Sequence, residues 1–253
     1  MCFVKTPNLP ESDAVLVAVS ATYQGIIDSL HALGMESIAV KPCLNLSDPV
    51  NSHADMLLHH LGGNKIVVAK GEEYLKSEFE SQGFEVTVSN KCISKLYPTD
   101  VPLNAARVGN RLIANQASLD GVIISDCIKK SIKIIPVKQG YAKCSTIVVD
   151  NHSIITADQS IAKAATAAQI DALLIEPGFI ALKGCNYGFI GGTCGFINQN
   201  TIVFTGNIKA HPSYNIMKNF FSERDIQIVS LTNGELIDIG GIIALREKFS
   251  ITK

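Results

Sequence analysis

The sequence predicts an α/β fold made of five strand–strand–helix–strand units that close into a ring. Three observations predict it. A pattern of elements recurs about every 40–55 residues along the 253-residue chain, a period that marks repeated supersecondary units. Within the units, pairs of apolar runs are separated by turn residues such as Gly62-Gly63-Asn64 and Asp150-Asn151-His152, which are hairpin signals. Finally, the first unit lacks a first strand, while an apolar segment at 235–245 (ELIDIGGIIAL) stands alone after the fifth. Joining the two completes the first unit and makes one five-bladed, pseudo-fivefold α/β propeller.

The first unit starts with its second strand at 14–19. A helix at 22–33 follows, stopped by Gly34, and then a third strand at 38–40. The second unit has a strand at 53–58, the Gly62-Gly63-Asn64 turn and a return strand at 65–69. Its helix spans 71–82, with two acids in the first turn to suit the helix dipole. Gly83 ends that helix, and 84–88 is the third strand. In the third unit the strands are 103–107 and 111–114 around Gly109-Asn110, with a helix from Ser118 and a strand at 132–137. The fourth has strands at 144–149 and 153–156, a helix capped by Asp158 and running to Gln169, and a strand at 172–175. The fifth has strands at 194–197 and 201–205, a helix opened by Pro212 and reaching Phe221, and a strand at 226–231. His211-Pro212-Ser213 is explained by capping chemistry alone. The whole chain, 1–253, reads as one domain with modules at about 14–48, 49–98, 99–138, 139–183 and 184–234, and a closing strand at 235–247.

Composition narrows the function. Lys and Arg number 22 against 23 Asp and Glu, a net charge of −1. That balance excludes the basic face a nucleic-acid binder needs. An apolar content of 47% excludes disorder. No run of about 18 apolar residues is present, so no membrane span is expected. The apolar run at 14–19 follows Pro10, Glu11 and Asp13, where a signal peptide would carry positive charge. Seven cysteines, none in a Cys-x-x-Cys pair, read as reduced thiols of a cytoplasmic protein. No Cys/His spacing matches a zinc site, so neither a metal nor a cofactor is expected.

The segment Ala54-Asp55-Met56-Leu57-Leu58-His59-His60, followed by Ile66-Val67-Val68, resembles the Pro-Asp-x-Val-Phe-x-x-Asp strand and hairpin of the pentein superfamily. These are the guanidino-group-modifying enzymes: arginine and agmatine deiminases, amidinotransferases and dimethylarginine dimethylaminohydrolases. The five-unit architecture resembles theirs along the whole chain. The resemblance implies that Asp55 holds a substrate guanidinium, a planar cation suited to a carboxylate. His59 or His60 falls where the family has a further acid. The family's nucleophilic cysteine follows a Gly-Gly pair on the closing strand; here the matching stretch, 240–245, has Ala244 in its place. Tyr141 stands where the family has its histidine.

Read without the family, the units align Asp55, Asn104, Cys144 and Cys194 in one column, with Gly241 in the fifth place. In a ring these side chains point at one axis, with His53 and Lys143 beside them. Cys194 lies in a glycine-rich stretch, 188–195, whose backbone N–H groups would bind a developing anion. With His53 as base, Cys194 is the expected nucleophile; close strand packing accounts for the same glycines. His53 and Asp55 are two apart, so on a strand they share a face. By the same alternation Lys143 and Cys144 face opposite ways, leaving Cys144 inward but not activated. Asn104 offers hydrogen bonds to a ligand amide, and Asp238 a second carboxylate.

Two functions follow. One is a deiminase or amidinohydrolase acting on a small guanidino or amino compound through Cys194 and His53, with Asp55, Asn104, Lys143, Cys144 and Asp238 binding it. The other is a non-catalytic pentein that has lost the family's cysteine and histidine and serves as a small-molecule binder or regulator. A homo-oligomer is compatible with either.

Overall fold

The computed structural model describes residues 1–249. In chain order, the first elements are β1 (Cys2–Phe3), β2 (Ala14–Ser20), α1 (Gln24–Ala32) and β3 (Glu36–Val40). A one-turn helix α2 (Ala54–Leu57) leads into β4 (Leu58–Gly62), β5 (Lys65–Val68), α3 (Glu73–Ser81) and β6 (Glu85–Val88). Next come β7 (Ala106–Val108), β8 (Arg111–Ala114), α4 (Gly121–Lys129) and β9 (Lys133–Pro136). They are followed by β10 (Thr146–Val148), β11 (Ser153–Thr156), α5 (Gln159–Ala167) and β12 (Asp171–Leu174). The last are β13 (Cys194–Asn198), β14 (Thr201–Phe204), α6 (Tyr214–Ser222), β15 (Gln227–Ser230) and β16 (Ile243–Glu247).

These strands form five small sheets. Four share one plan: an antiparallel hairpin, then a helix, then a third strand parallel to the second. The fifth sheet has the order β1-β16-β2-β3. Here β16 pairs antiparallel with β2, taking the place of the missing first strand. β1, which periodicity does not show, pairs with the other edge of β16. No helix among the described residues is long and apolar enough to cross a membrane.

The repeat is most regular where the helices stop. Each helix exit holds a residue in the left-handed region: Gly34, Gly83, Ser131, Gln169 and Asp225, with φ of 85°, 79°, 54°, 60° and 54°. The next residue donates its N–H back over the last turn. The five bonds are Met35 to Leu30, Phe84 to Phe79, Ile132 to Cys127, Ile170 to Ala165 and Ile226 to Phe221, at 2.8–3.2 Å. All ten residues are buried. This closure satisfies orphan carbonyls and adds an apolar contact. Asp120 and Asp158 cap two of the helices at the other end, accepting from Val122 and from Ser160 and Ile161.

Several expected bounds move. The strand expected at 53–58 is instead α2, with β4 starting at Leu58. Ala54, Asp55, Met56 and Leu57 are all buried, so the apolar run has no face, and periodicity cannot separate helix from strand there. The partner strand also ends at this point, its Val68 lying opposite Leu58. The first strand expected at 103–107 is Ala106–Val108, and the one expected at 144–149 is Thr146–Val148. The closing strand is Ile243–Glu247 rather than the full 235–247 stretch. The helix expected from Ser118 starts at Gly121, because its cap is Asp120.

Candidate active site

The residues of the predicted column all sit just ahead of, or at the start of, a first strand. Asp55 lies in α2 before β4, Asn104 before β7, Cys144 before β10, Cys194 at the head of β13 and Gly241 before β16. Asp55, Asn104, Cys144, His53, Lys143 and Asp238 are all buried.

Three of them are in direct contact. The Cys144 thiol donates to Asp55 Oδ2 at 3.0 Å. Asn104 ties the pair together: its Nδ2 donates to the Asp55 carbonyl at 3.1 Å and to Cys144 Sγ at 3.1 Å. Its Oδ1 accepts from the backbone N–H of Lys143 at 2.7 Å and of Cys144 at 3.3 Å. The amide is therefore spent on positioning Asp55 and Cys144, whereas the sequence offers it to a ligand. Donor atoms of His53, Asp55 and Cys144 lie within 4.8 Å of one another. Neither ring nitrogen of His53 has a hydrogen-bond partner among the described residues, nor does Asp55 Oδ1.

His53 and Asp55 do not share a strand face. His53 is the residue before α2 and Asp55 is in its first turn. His53 keeps an extended backbone, with φ of −68° and ψ of 124°, before the chain turns into α2, and its ring still comes within 4.8 Å of the Asp55 carboxylate. Lys143 and Cys144 likewise lie in turns, outside the alternation that would separate them. The Lys143 ammonium donates to the Gly191 carbonyl at 3.3 Å. Asp238 Oδ1 stands 3.7 Å from His53 Nδ1. It also accepts from the Gly240 N–H at 3.0 Å, and Oδ2 from the Phe189 N–H at 2.8 Å.

Electrostatics follow from burial. Desolvation pushes the Asp55 carboxyl up to about 6, against the pull of Lys143 and His53 and with the push of Asp238. The Cys144 thiol is held well above its ordinary value by burial and then by Asp55 and Asp238. Cys194 is pushed up to about 12, again by burial, with Lys143 opposing. Its thiol reaches the Ile190 carbonyl at 3.8 Å, and it packs with apolar residues including Ile190 and Phe196. It is not one of the three residues whose donor atoms converge.

The glycine-rich stretch serves Asp238 and close packing. A Cβ on Gly192 would overlap Asp238 Oδ1, and one on Gly188 would come within 2.5 Å of Asp238 Cβ. One on Gly191 would run into the Thr146 carbonyl. The stretch is a short 3-10 turn, Ile190–Thr193, with the Gly192 N–H donating to the Phe189 carbonyl at 3.2 Å.

Two features escape the sequence. A series of rings, Tyr97, Tyr141 and Phe189, stacks with centroids 5.7 Å apart at each step. The three come from separate segments, so no local pattern announces them. Tyr141 donates its hydroxyl to Asp100. The other feature is the contribution of the segment before β2: Pro7 and Asn8 line a cavity of about 20 Å³ with Asp55, His59, Arg107 and Lys143, room for about one water. His59 and His60 are buried here, each pushed down to about 4 by desolvation.

Solved structures of other proteins share this architecture. An inosamine-phosphate amidinotransferase from Streptomyces griseus is similar over 97% of each chain, with 11% identity and a TM-score of 0.56. The agmatine deiminase of C. jejuni is similar over 96% of this chain and 97% of its own, with 10% identity and a TM-score of 0.55. An amidinotransferase of the saxitoxin pathway from Microseira wollei covers 98% of this chain and 99% of its own, with 11% identity and a TM-score of 0.53. The shared feature at such identities is the fold, and it is the pentein fold. No curated protein matches the sequence. A family model matches residues 18–243, and the chain belongs to that family, a family of unknown function designated DUF6873.

Proposed function

We propose that this protein binds a small guanidino or amidino compound at the buried site and cleaves one of its C–N bonds through Cys144. The observation that carries the reading is the 3.0 Å contact between the Cys144 thiol and Asp55, with a His53 nitrogen in the same group. In formal charges, Asp55 and Asp238 outweigh Lys143 by one. A buried monocation would neutralise the site, and a guanidinium is such a cation.

The chemistry would run in two halves. Asp55 takes the thiol proton as Cys144 Sγ bonds to the amidino carbon, and the proton passes to the departing amine as the C–N bond breaks. Water then adds to the S-bound amidino carbon, giving its proton to His53. The C–S bond breaks and the sulfur recovers a proton. Cys144 takes the role that the sequence gives to Cys194, because Cys144 is the thiol with a carboxylate beside it. The reading extends to architecture: the five modules form one ring-closed domain, with the site on its axis. Seven cysteines without disulfide partners support a cytoplasmic setting.

The test is amine and ammonia release from a panel of guanidino and amidino compounds by the full-length protein and by Cys144→Ser and Cys194→Ser. Turnover by Cys194→Ser and none by Cys144→Ser is the expected result. Turnover retained in Cys144→Ser overturns the assignment. One observation favours a binder that does not turn over: burial holds both thiols in the protonated form. A ligand-induced rise in melting temperature with no product from any variant would establish that second reading.

A further inference from the structure

We infer that His53, Asp55 and Cys144 form a binding site for a soft divalent cation of the zinc type. This inference stands without the guanidino reading, because it rests on the donor atoms alone. An imidazole, a carboxylate and a thiol are the three side-chain types that zinc takes, and three protein ligands with one position left for a small molecule is a common arrangement. The donor atoms lie within 4.8 Å of one another in a fully buried group, so modest side-chain movement brings them onto one ion.

A second, independent observation points to a ligand. Both His53 ring nitrogens and Asp55 Oδ1 are buried without a hydrogen-bond partner among the described residues. Buried polar atoms are normally satisfied, and coordination would satisfy two of these three. The surroundings are also suited to it. Asp238, 3.7 Å from His53 Nδ1, is placed where a carboxylate orients a ligating imidazole. Asn104 fixes both the Asp55 backbone and the Cys144 sulfur.

Charge decides which cation fits. With Cys144 as thiol, Asp55 and Asp238 exceed Lys143 by one formal charge. With Cys144 as thiolate they exceed it by two, which a dication neutralises. The thiol form therefore suits a monocation and the metal-bound thiolate form suits zinc, so the two occupants exclude each other. Sequence spacing hides the site, because Asp55 and Cys144 are 89 residues apart and no local Cys/His pattern forms.

The test uses Co²⁺ alone, then Zn²⁺ alone, on the full-length protein. One cobalt per chain is expected, with a thiolate-to-cobalt charge-transfer band that Zn²⁺ removes by displacement. Cys144→Ser should abolish the band, and Cys194→Ser should keep it. Asp238→Asn should weaken affinity about 10–100-fold, the usual effect of losing an outer partner. X-ray absorption of the zinc-loaded wild type needs no variant to fold, and should show one sulfur at about 2.3 Å among nitrogen and oxygen ligands. No stoichiometric binding, a shell without sulfur, or a band lost in folded Cys194→Ser would overturn the inference. If zinc binds and no guanidino compound does, only the guanidino reading fails.

Discussion

Equivalent positions behave differently at the two kinds of repeated site in this molecule. At the helix exits, all five units place a left-handed residue before a buried apolar one and make the same backbone bond. At the starts of the first strands, the five units carry Asp55, Asn104, Cys144, Cys194 and Gly241. The first set repeats because one backbone geometry closes every helix. The second set differs because three of its members, Asp55, Asn104 and Cys144, meet and must complement one another, an acid facing a thiol and an amide holding both. Repetition thus marks what builds the fold, and its breakdown marks where chemistry is placed.

That contrast can be strained by substitution. Asn104→Ala should have the largest effect, since it leaves the Lys143 and Cys144 N–H groups and the Asp55 carbonyl without their partner. Buried unsatisfied groups cost about 1–3 kcal/mol each, and urea unfolding should show a loss of at least about 3 kcal/mol. Gly192→Ala comes next. Its Cβ would overlap Asp238 Oδ1, and overpacking of this kind costs about 1–3 kcal/mol. Gly34→Ala has open space around it, and only its φ of 85° resists the change, so about 1 kcal/mol is expected. Equal melting temperatures for these two alanine variants would erase the distinction between the two regions.

Acid should also act at the strand starts and not at the helix exits. His59 and His60 have folded values near 4, below the unfolded value of about 6.5. The unfolded chain binds more protons between those limits, so stability falls as pH drops from about 6.5 to 4. Asp55 works the other way: its value is raised to about 6, so its contribution is full below about 4 and is lost as pH rises through 6. Two histidines outweigh one carboxyl, and the net loss on acidification should be a few kcal/mol, since each tenfold change in proton affinity is worth about 1.4 kcal/mol. Urea midpoints at pH 7 and pH 4.5 check it; a higher midpoint at pH 4.5 refutes it. The smallest effect is a gain. Ser131→Gly and Gln169→Gly each relieve a left-handed side chain and should add up to about 1 kcal/mol, seen as a higher melting temperature.

Much of the architecture was legible because it repeats. Gly34 and Gly83 mark helix ends openly, and the hairpin turns mark strand pairs. The borrowed strand follows from a missing element at one end and a spare one at the other. The column that includes Asp55, Asn104 and Cys144 was legible for the same reason. What the alignment cannot give is the turn of the chain at each position. Ala54 to Leu57 is buried on all sides, so its helix looks like a strand. The glycines at 188–195 look like an anion cradle, but the absent side chains of Gly188 and Gly192 make room for Asp238, and those of Gly191 and Gly195 for the backbone at Thr146 and Ile242. Cys144 and Cys194 align in the sequence, but Cys144 lies in the turn before β10 and meets Asp55, whereas Cys194 is the first residue of β13 and packs among apolar side chains.

The position of β16 between β1 and β2 has a consequence in time. β2 emerges early in synthesis, yet its antiparallel partner is residues 243–247, more than 200 residues later. At about 5–20 residues per second, the first sheet waits for tens of seconds with one edge unpaired. Contacts this distant along the chain also slow folding once synthesis is complete. The other four sheets draw all their strands from local sequence and need no such delay. The sheet that comes first in the sequence is therefore the last to be finished.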